Sequence, residues 1–286
     1  MIYTQVLANG LMLGAIYACI AVGFSLVWGV LSVINLMHGA FIVLGGYLAF
    51  FSWLHLGLNP FLMIIPVALV LFTLGYGIQR YAINEVVSKP VLITLTVTFG
   101  LEMILYNAMN LAFSATPRRI VLDLGVVDFA GAMLPLDRIA AMVLALALTG
   151  LLYLTLRTSK VGRAIVAVRM DRDAATLMGI EYKKIYAITF GLGAFMAGAC
   201  GAIVAVVFPI STSLSGLLLG KAFVICVIGG LGTVPGALVG GLALGIIESF
   251  AGHWLGSQNA ILIGFLLMLV LLVVRPTGII GKKGYE

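Results

Sequence analysis

Charged residues are scarce in this sequence. Only 9% of its 286 residues are Asp, Glu, Lys or Arg, whereas 63% are hydrophobic. A soluble domain carries roughly a quarter charged residues, and here the first charge is Arg80. A surface so poor in charge would aggregate in water, so lipid must be the solvent for most of the chain. The composition therefore excludes an ordinary soluble domain.

The residues that enzymes and metal sites require are also few and scattered. Cys19, Cys200 and Cys226 lie singly in apolar segments, so they indicate neither a metal site nor a disulfide framework. No nucleophile lies near a base, and no pair of carboxylates is placed for hydrolysis. The stretch SGLLLGKA at 215–222 lacks the first glycine and the hydroxyl residue of a phosphate-binding loop. We therefore predict no catalytic residue, no metal and no cofactor.

Long apolar runs fill most of the chain instead. About 18 or more apolar residues can form a membrane-spanning helix, and nothing here alternates like a barrel strand. Polar or Gly/Pro-containing stretches separate nine such segments: 7–30, 37–54, 60–79, 91–115, 138–157, 184–208, 217–231, 236–251 and 259–275. We predict an all-α polytopic membrane protein, a single domain over 1–286 with eight or nine crossings. The short, Gly-interrupted segments are candidates for broken or re-entrant helices.

Glycines recur at four-residue spacing in several of these segments. The sets are Gly10 with Gly14, Gly216 with Gly220, and Gly236, Gly240, Gly241 and Gly245. Small residues on one face let two helix backbones approach closely in lipid. We expect these positions to be helix-packing faces.

Basic residues indicate the orientation, because basic loops stay in the cytoplasm. Seven of the sixteen basic residues lie in the stretch 157–184. Three more lie in the tail RPTGIIGKKGYE: Arg275, Lys282 and Lys283. We expect the loop 158–184 and the C-terminus to be cytoplasmic and the loop 116–137 to face outside. The net charge of +6 therefore gives no reason to expect nucleic-acid binding. The side of the N-terminus depends on the number of crossings.

The loop 158–184 is too polar to span a membrane and too apolar for a flexible linker. Its sequence is TSKVGRAIVAVRMDRDAATLMGIEYKK. Apolar residues recur in it at roughly helical spacing: Ile165, Val168, Ala175 and Met178. Asp171 can cap a second helix, because its carboxylate can accept from the N–H groups two and three residues on. Gly179 suits a helix stop. We predict two short helices at the membrane surface; a plain interfacial connector is the alternative.

Four stretches, in order along the chain, resemble those of one protein family. Eight residues of the loop are similar to the coupling-helix motif of ABC importer permeases: Gly162, Arg163, Ala164, Ala167, Asp171, Ala174, Gly179 and Ile180. INLMHGAFIVLGGY at 34–47, GKAFVICVIGGLGTVPGALVGG at 220–241 and RPTGIIG at 275–281 resemble signatures of the branched-chain amino-acid permease family. The resemblance is to the first of that family's two paired permeases and covers nearly the whole chain.

This resemblance implies an ABC importer of the bacterial inner membrane that carries branched-chain or related amino acids. The implied partners are a second homologous permease, two cytoplasmic ATPase subunits, a periplasmic substrate-binding protein and membrane lipid. The chain itself would be non-catalytic and would contact the ATPases through its coupling loop. Urea, short amides and aromatic or organic acids are alternative cargoes within the family. A stand-alone secondary transporter, with Glu102 as its coupling acid, is the alternative from another class.

Polar side chains within the apolar segments are candidates for the translocation path, because such groups are costly in lipid. Asn35 and His38 either line the path or satisfy the backbone at the break after the first segment. Segment 91–115 carries a polar stripe on one helix face: Thr94, Thr98, Glu102, Tyr106 and Asn110. Thr98, Glu102 and Tyr106 are path candidates. Glu102 is either a protonated acid that joins helices or an acid that lines the path, and the family pattern does not require an acid there.

A lysine and a glutamate occupy matching depths in two neighbouring segments. In the expected orientation 217–231 runs inward and 236–251 runs back, so Lys221 and Glu248 each lie about one turn below the outer surface. The tight turn GGLGTVPG between the segments makes them neighbours. We predict that Lys221 and Glu248 form an ion pair or share a water. The alternative is that Lys221 extends its ammonium to the headgroups.

Overall fold

Nine apolar helices make up most of the structure. The computed structural model describes residues 2–122, 124–129, 131–275 and 277–281. Within these residues the apolar helices are α1 (Ile2–Leu31), α2 (His38–Leu56), α3 (Ile64–Tyr81), α4 (Val91–Phe113), α5 (Leu136–Thr158), α8 (Tyr182–Val207), α9 (Leu214–Gly229), α10 (Val234–Leu255) and α11 (Ser257–Val274). Seven are long and apolar enough to cross a membrane, and α9 and α11 are shorter. The predicted all-α polytopic fold is confirmed.

Four smaller elements lie in two of the connecting loops. Between α5 and α8, the helices α6 (Lys160–Met170) and α7 (Arg172–Leu177) follow one another. Between α4 and α5, the strands β1 (Val126–Phe129) and β2 (Ala132–Pro135) form an antiparallel hairpin with Val126 opposite Pro135. This hairpin was not predicted, because a run of four residues is too short to show an alternating pattern. Lys282 and Lys283 of the predicted basic tail lie outside the described residues.

Two helices form the centre of the bundle. In both α1 and α8, 89% of the most apolar window is buried, as expected of helices that are hydrophobic all round. Helix α1 packs mainly against α10, α8 and α5, and α8 packs mainly against α3 and α2. Helix α4 lies at the edge, with only 11% of its window buried. Helix α4 is therefore peripheral in this chain, although Thr94 and Thr98 of its polar stripe are buried.

The α1–α10 contact depends on glycine. A Cβ atom added at Gly14 would lie 2.8 Å from the Cα of Leu242, and one at Gly10 would lie 2.9 Å from the Cα of Ile246. The two backbones therefore touch directly, as small-residue faces in membranes allow. The predicted face at Gly216 is not of this kind, because no described atom lies within 4 Å of its Cβ position.

Two of the sequence motifs pack together at one end of the bundle. The turn between α9 and α10 meets the tail 277–281, where the Ile279 N–H donates to the Ile228 carbonyl at 2.9 Å and the Ile280 N–H donates to the Gly229 carbonyl at 3.1 Å. The end of α1 joins them, since a Cβ at Gly29 would lie 2.8 Å from the Cα of Gly232. Helix α6 packs against α1, α5 and α8. The short helices are thus attached to the central helices of the bundle.

Candidate functional site

The short helices α6 and α7 are capped by side chains. Ser159 Oγ accepts a hydrogen bond from the Gly162 N–H at 2.9 Å where α6 begins. Asp171 Oδ1 accepts from the N–H groups of Asp173 and Ala174, each at 2.9 Å, where α7 begins. Gly179 has a φ of +83°, the left-handed conformation expected where the helix stops. The predicted pair of helices and its Asp171 cap are confirmed.

The α6–α7 pair has one buried face and one exposed face. Ile165, Val168 and Ala175 are buried against the bundle. On the exposed face, Leu177 and Met178 are 89% and 83% exposed. Met178 has roughly helical spacing with Ile165, Val168 and Ala175 but does not share their burial, because α7 ends at Leu177. Neighbouring large apolar side chains that are exposed on a polar connecting segment are typical of an interaction site.

The remaining residues of the coupling motif divide between these two faces. Arg163 and Ala174 are exposed, and the Arg163 guanidinium donates to the Thr158 carbonyl at 3.0 Å. Four others are buried or half-buried and attach the pair to the bundle: Gly162, Ala164, Ala167 and Ile180. A partner protein can therefore reach Arg163 and Ala174 directly.

Three predicted path residues meet at the break between α1 and α2, and all three are buried. Asn35 Oδ1 accepts from the N–H two residues on at 3.1 Å, and His38 Nε2 lies 2.8 Å from the Ile20 carbonyl. Thr98 Oγ1 donates to the Ile34 carbonyl at 3.1 Å and so joins α4 to the break. The contacts of Asn35 and Thr98 satisfy backbone groups within the break, whereas the contact of His38 joins the start of α2 to the middle of α1. Asn35 Nδ2 and His38 Nδ1 have no partner among the described residues.

Glu102 and Tyr106 lie farther along the same face of α4, and both are half-buried. The Glu102 carboxyl group interacts with the Ser215 side chain at the start of α9. One turn beyond Tyr106, Asn110 Oδ1 accepts from the Thr212 hydroxyl at 2.6 Å. The polar stripe of α4 therefore meets polar groups near the N-terminal end of α9, which agrees with an inward orientation of Glu102.

Lys221 and Glu248 form a buried ion pair. Lys221 Nζ lies 2.7 Å from Glu248 Oε2, and the two side chains are only 9% and 7% exposed. The hydroxyl of Tyr17 in α1 donates to the same Oε2 at 2.6 Å and accepts from Lys221. The ammonium also lies 4.3 Å from the centroid of the Tyr17 ring, within the range of a cation–π interaction. The contact is the one that the sequence predicts, and Lys221 does not extend to a headgroup region.

The pair lies deeper in the bundle than the sequence predicts. Lys221 follows the start of α9 by seven residues, and Glu248 precedes the end of α10 by seven residues. At about 1.5 Å per residue, each lies roughly 10 Å, or two turns rather than one, from its helix end. The difference arises because α9 and α10 extend beyond their apolar runs. Lys221 therefore does not lie in the first turn, where the helix dipole acts.

A cavity of about 600 Å³ adjoins the ion pair. Six polar or charged residues contribute to its wall: Asn9, Tyr17, Arg138, Lys221, Glu248 and Ser249. Most of the remaining wall is aliphatic and comes from α1, α8, α9 and α11. None of the five predicted path residues, from Asn35 to Tyr106, lines this cavity. The structure thus joins the cavity to the predicted ion pair and separates it from the α1–α2 break.

Tyr17 is the site residue that the sequence did not predict. It is a polar aromatic residue within the uncharged helix α1, and that position is a weak signal for a buried hydrogen bond. Its partners come from α9 and α10, more than two hundred residues later. Within the part of the chain that the structure describes, no three His, Cys, Asp or Glu side chains are grouped to hold a metal ion.

A bundle of apolar helices with a buried ion pair beside a cavity, and with a capped, partly exposed helix pair packed against it, is the architecture of a multi-pass membrane protein. The chain belongs to the family described as "Branched-chain amino acid transport system / permease component", whose model matches residues 6–274. The resemblance inferred from the four motifs is therefore confirmed. As a member of this family, the chain is a component of a transport system with several subunits.

Curated relatives cover nearly the same length. The chain is 33% identical to the high-affinity branched-chain amino acid transport system permease protein BraD of Pseudomonas aeruginosa, over 99% of this chain and 97% of the relative. It is 30% identical to the corresponding permease protein LivH of Escherichia coli K12, with the same coverage. The ribose import permease protein RbsC of Haemophilus influenzae is 25% identical over 82% of this chain and 73% of its own length. No solved structure matches the chain.

Proposed function

We propose that this chain is the membrane-spanning subunit of an ABC importer that carries branched-chain or related amino acids across the bacterial inner membrane. The observation that carries the proposal is the capped α6–α7 pair, which turns Leu177 and Met178 outward on a chain of the permease family. The names of the BraD and LivH relatives support an amino-acid cargo. Urea, short amides and organic acids have no comparable support.

The sequence shows no phosphate-binding loop, which supports the proposal that other subunits hydrolyse the ATP. We infer two cytoplasmic ATPase subunits that receive the α6–α7 pair, a second homologous permease beside this one, and a periplasmic substrate-binding protein. In this arrangement α6, α7 and the C-terminus are cytoplasmic. ATP binding can shift the permease between its outward and inward states only if the ATPases bind the α6–α7 pair more tightly in one of these two states.

The exposed face of the α6–α7 pair supplies the contact with the ATPase subunits. Leu177 and Met178 offer apolar area, and burial of one such side chain contributes about 1.5–3 kcal/mol. Arg163 adds an exposed charge on α6. The buried face, with Ile165 and Val168, transmits the displacement to α5 and α8. The Asp171 cap holds the start of α7 next to the end of α6 during this displacement.

The stand-alone secondary transporter is disfavoured. Family membership assigns the chain to a transport system with partner components. Glu102, its supposed coupling acid, interacts with Ser215 and does not line the cavity. Uptake assays separate the two mechanisms, because a secondary transporter works without ATPase subunits when a proton gradient is applied.

Cysteine cross-linking tests the proposal in the assembled complex. Cysteine introduced at Arg163 or Ala174 should cross-link to an ATPase subunit, since both positions are exposed on the α6–α7 pair. Cysteine at Val127 in β1 is the matched control, because it is exposed on a loop expected on the opposite side. The three native cysteines are buried and give little background. Labelling of the Arg163 or Ala174 position from the periplasm, or no partner there, would refute the proposal.

A further inference from the structure

The cavity beside the ion pair has the character of a small-ligand site. Its volume of about 600 Å³ lies within the range of roughly 300–1,000 Å³ that is usual for such sites. Ligand pockets are mostly apolar and contain a few polar groups that converge on one region. Here aliphatic residues such as Met12, Ile16 and Leu218 form the apolar wall, and Tyr17, Lys221 and Glu248 converge at one part of it.

The charges in the wall restrict what can bind. Three charged side chains contribute to the cavity wall: Lys221 and Glu248, which neutralise each other, and Arg138 on α5. A ligand with a single charge at the ion pair would add a buried charge that has no counter-charge there, which is strongly unfavourable. A ligand with one positive and one negative group keeps the site neutral, because its carboxylate can contact Lys221 while its ammonium contacts Glu248. At the ion pair the wall therefore favours a zwitterion over a simple anion or cation.

The pair also has unused hydrogen-bonding capacity. An ammonium group has three donors, and those of Lys221 reach Glu248 and Tyr17. Both hydrogen bonds to the carboxylate go to Oε2, and no described residue donates to Glu248 Oε1. One ammonium donor and one carboxylate oxygen thus remain for a ligand before the pair has to open.

We propose that this cavity binds a small zwitterion with an apolar side chain, that is, an aliphatic α-amino acid. Its carboxylate contacts Lys221, its ammonium contacts Glu248, and its side chain lies among the aliphatic residues of α1 and α9. Tyr17 positions both charged groups through its hydroxyl. The inference rests on the proposed transport function and deepens it, because it locates a cargo site within the helices of this permease.

Ligand binding to the full chain in lipid nanodiscs, purified without any substrate-binding protein, tests the inference. The probe is radiolabelled L-leucine, and the competitors are 3-methylbutanoate, which lacks the ammonium, and 3-methylbutylamine, which lacks the carboxylate. We expect saturable leucine binding and at least tenfold weaker competition by either single-charge analogue. Equal competition by all three compounds would overturn the inference, because it would show an apolar cavity that ignores charge.

Variants locate the site. Lys221→Met with Glu248→Gln removes both charges together and should weaken leucine binding at least tenfold while the chain stays monodisperse. The matched control is Lys89→Met with Glu85→Gln, which makes the same changes at two exposed positions and should leave binding unchanged. Unaltered binding in the first variant overturns the inference. If leucine does not bind the chain and Arg163 still cross-links to an ATPase, the site is refuted and the transport function stands.

Discussion

Replacing Glu248 by glutamine leaves the Lys221 ammonium buried without its counter-charge. Because the two side chains are only 7% and 9% exposed, water can screen little of the interaction. Breaking a buried pair from one side costs about 3–5 kcal/mol, whereas removing both charges together costs far less. We therefore expect about 3 kcal/mol of destabilisation from Glu248→Gln, a similar loss from Lys221→Met, and no greater loss from the double variant.

The measurement is a double-mutant cycle on the free energy of unfolding, obtained from denaturant titrations of the four proteins in mixed micelles. The expected coupling energy between the two sites is about 3 kcal/mol. The exposed pair Glu85 and Lys89 provides the control, where the same substitutions should each change stability by less than about 0.5 kcal/mol. A double variant whose loss equals the sum of the single losses would show that Lys221 and Glu248 do not depend on each other.

Three smaller substitutions probe the coupling helices, the α1–α10 contact and α4. Asp171→Ala removes the cap of α7 and should cost about 1 kcal/mol of local stability, read as faster amide hydrogen exchange in 173–177, while Asp171→Asn should preserve protection. Gly245→Ala forces a methyl group against the α1 backbone and should lower thermal stability, whereas Gly216→Ala meets no described atom and should not; equal effects would contradict the direct contact. Glu102→Gln can retain its interaction with Ser215, so stability and leucine uptake in proteoliposomes should be unchanged; an altered cargo preference would instead place Glu102 on the translocation path.

Features that depend on neighbouring residues could be predicted from the sequence. The nine apolar helices follow from uninterrupted apolar runs, because lipid requires each segment to satisfy its own backbone. The start of α7 follows from Asp171, whose oxygen reaches N–H groups only two and three residues away. The pairing of Lys221 with Glu248 follows from a short turn that makes α9 and α10 neighbours.

Features that depend on distant parts of the chain could not be predicted. The contact of Tyr17 with the ion pair requires α1 to pack against α9 and α10, and no local pattern specifies that arrangement. The cavity has the same origin, since its wall comes from several helices. Helix ends were misjudged where a helix continues past its predicted segment, as at the end of α10, and this error placed the ion pair one turn too near the helix ends.

The direct packing of α1 on α10 imposes an order on biosynthesis. Helix α1 is made first, yet its most extensive contact is with the tenth helix of the chain. At about 5–20 residues per second, α1 waits on the order of tens of seconds for that partner. During this time the glycine residues of α1 that contact α10, and the Tyr17 hydroxyl, face lipid or the insertion machinery. Lys221 and Glu248, by contrast, arrive almost together on adjacent helices and can enter the bilayer as a neutral unit. A chain that stops before α10 therefore leaves α1 without its main partner.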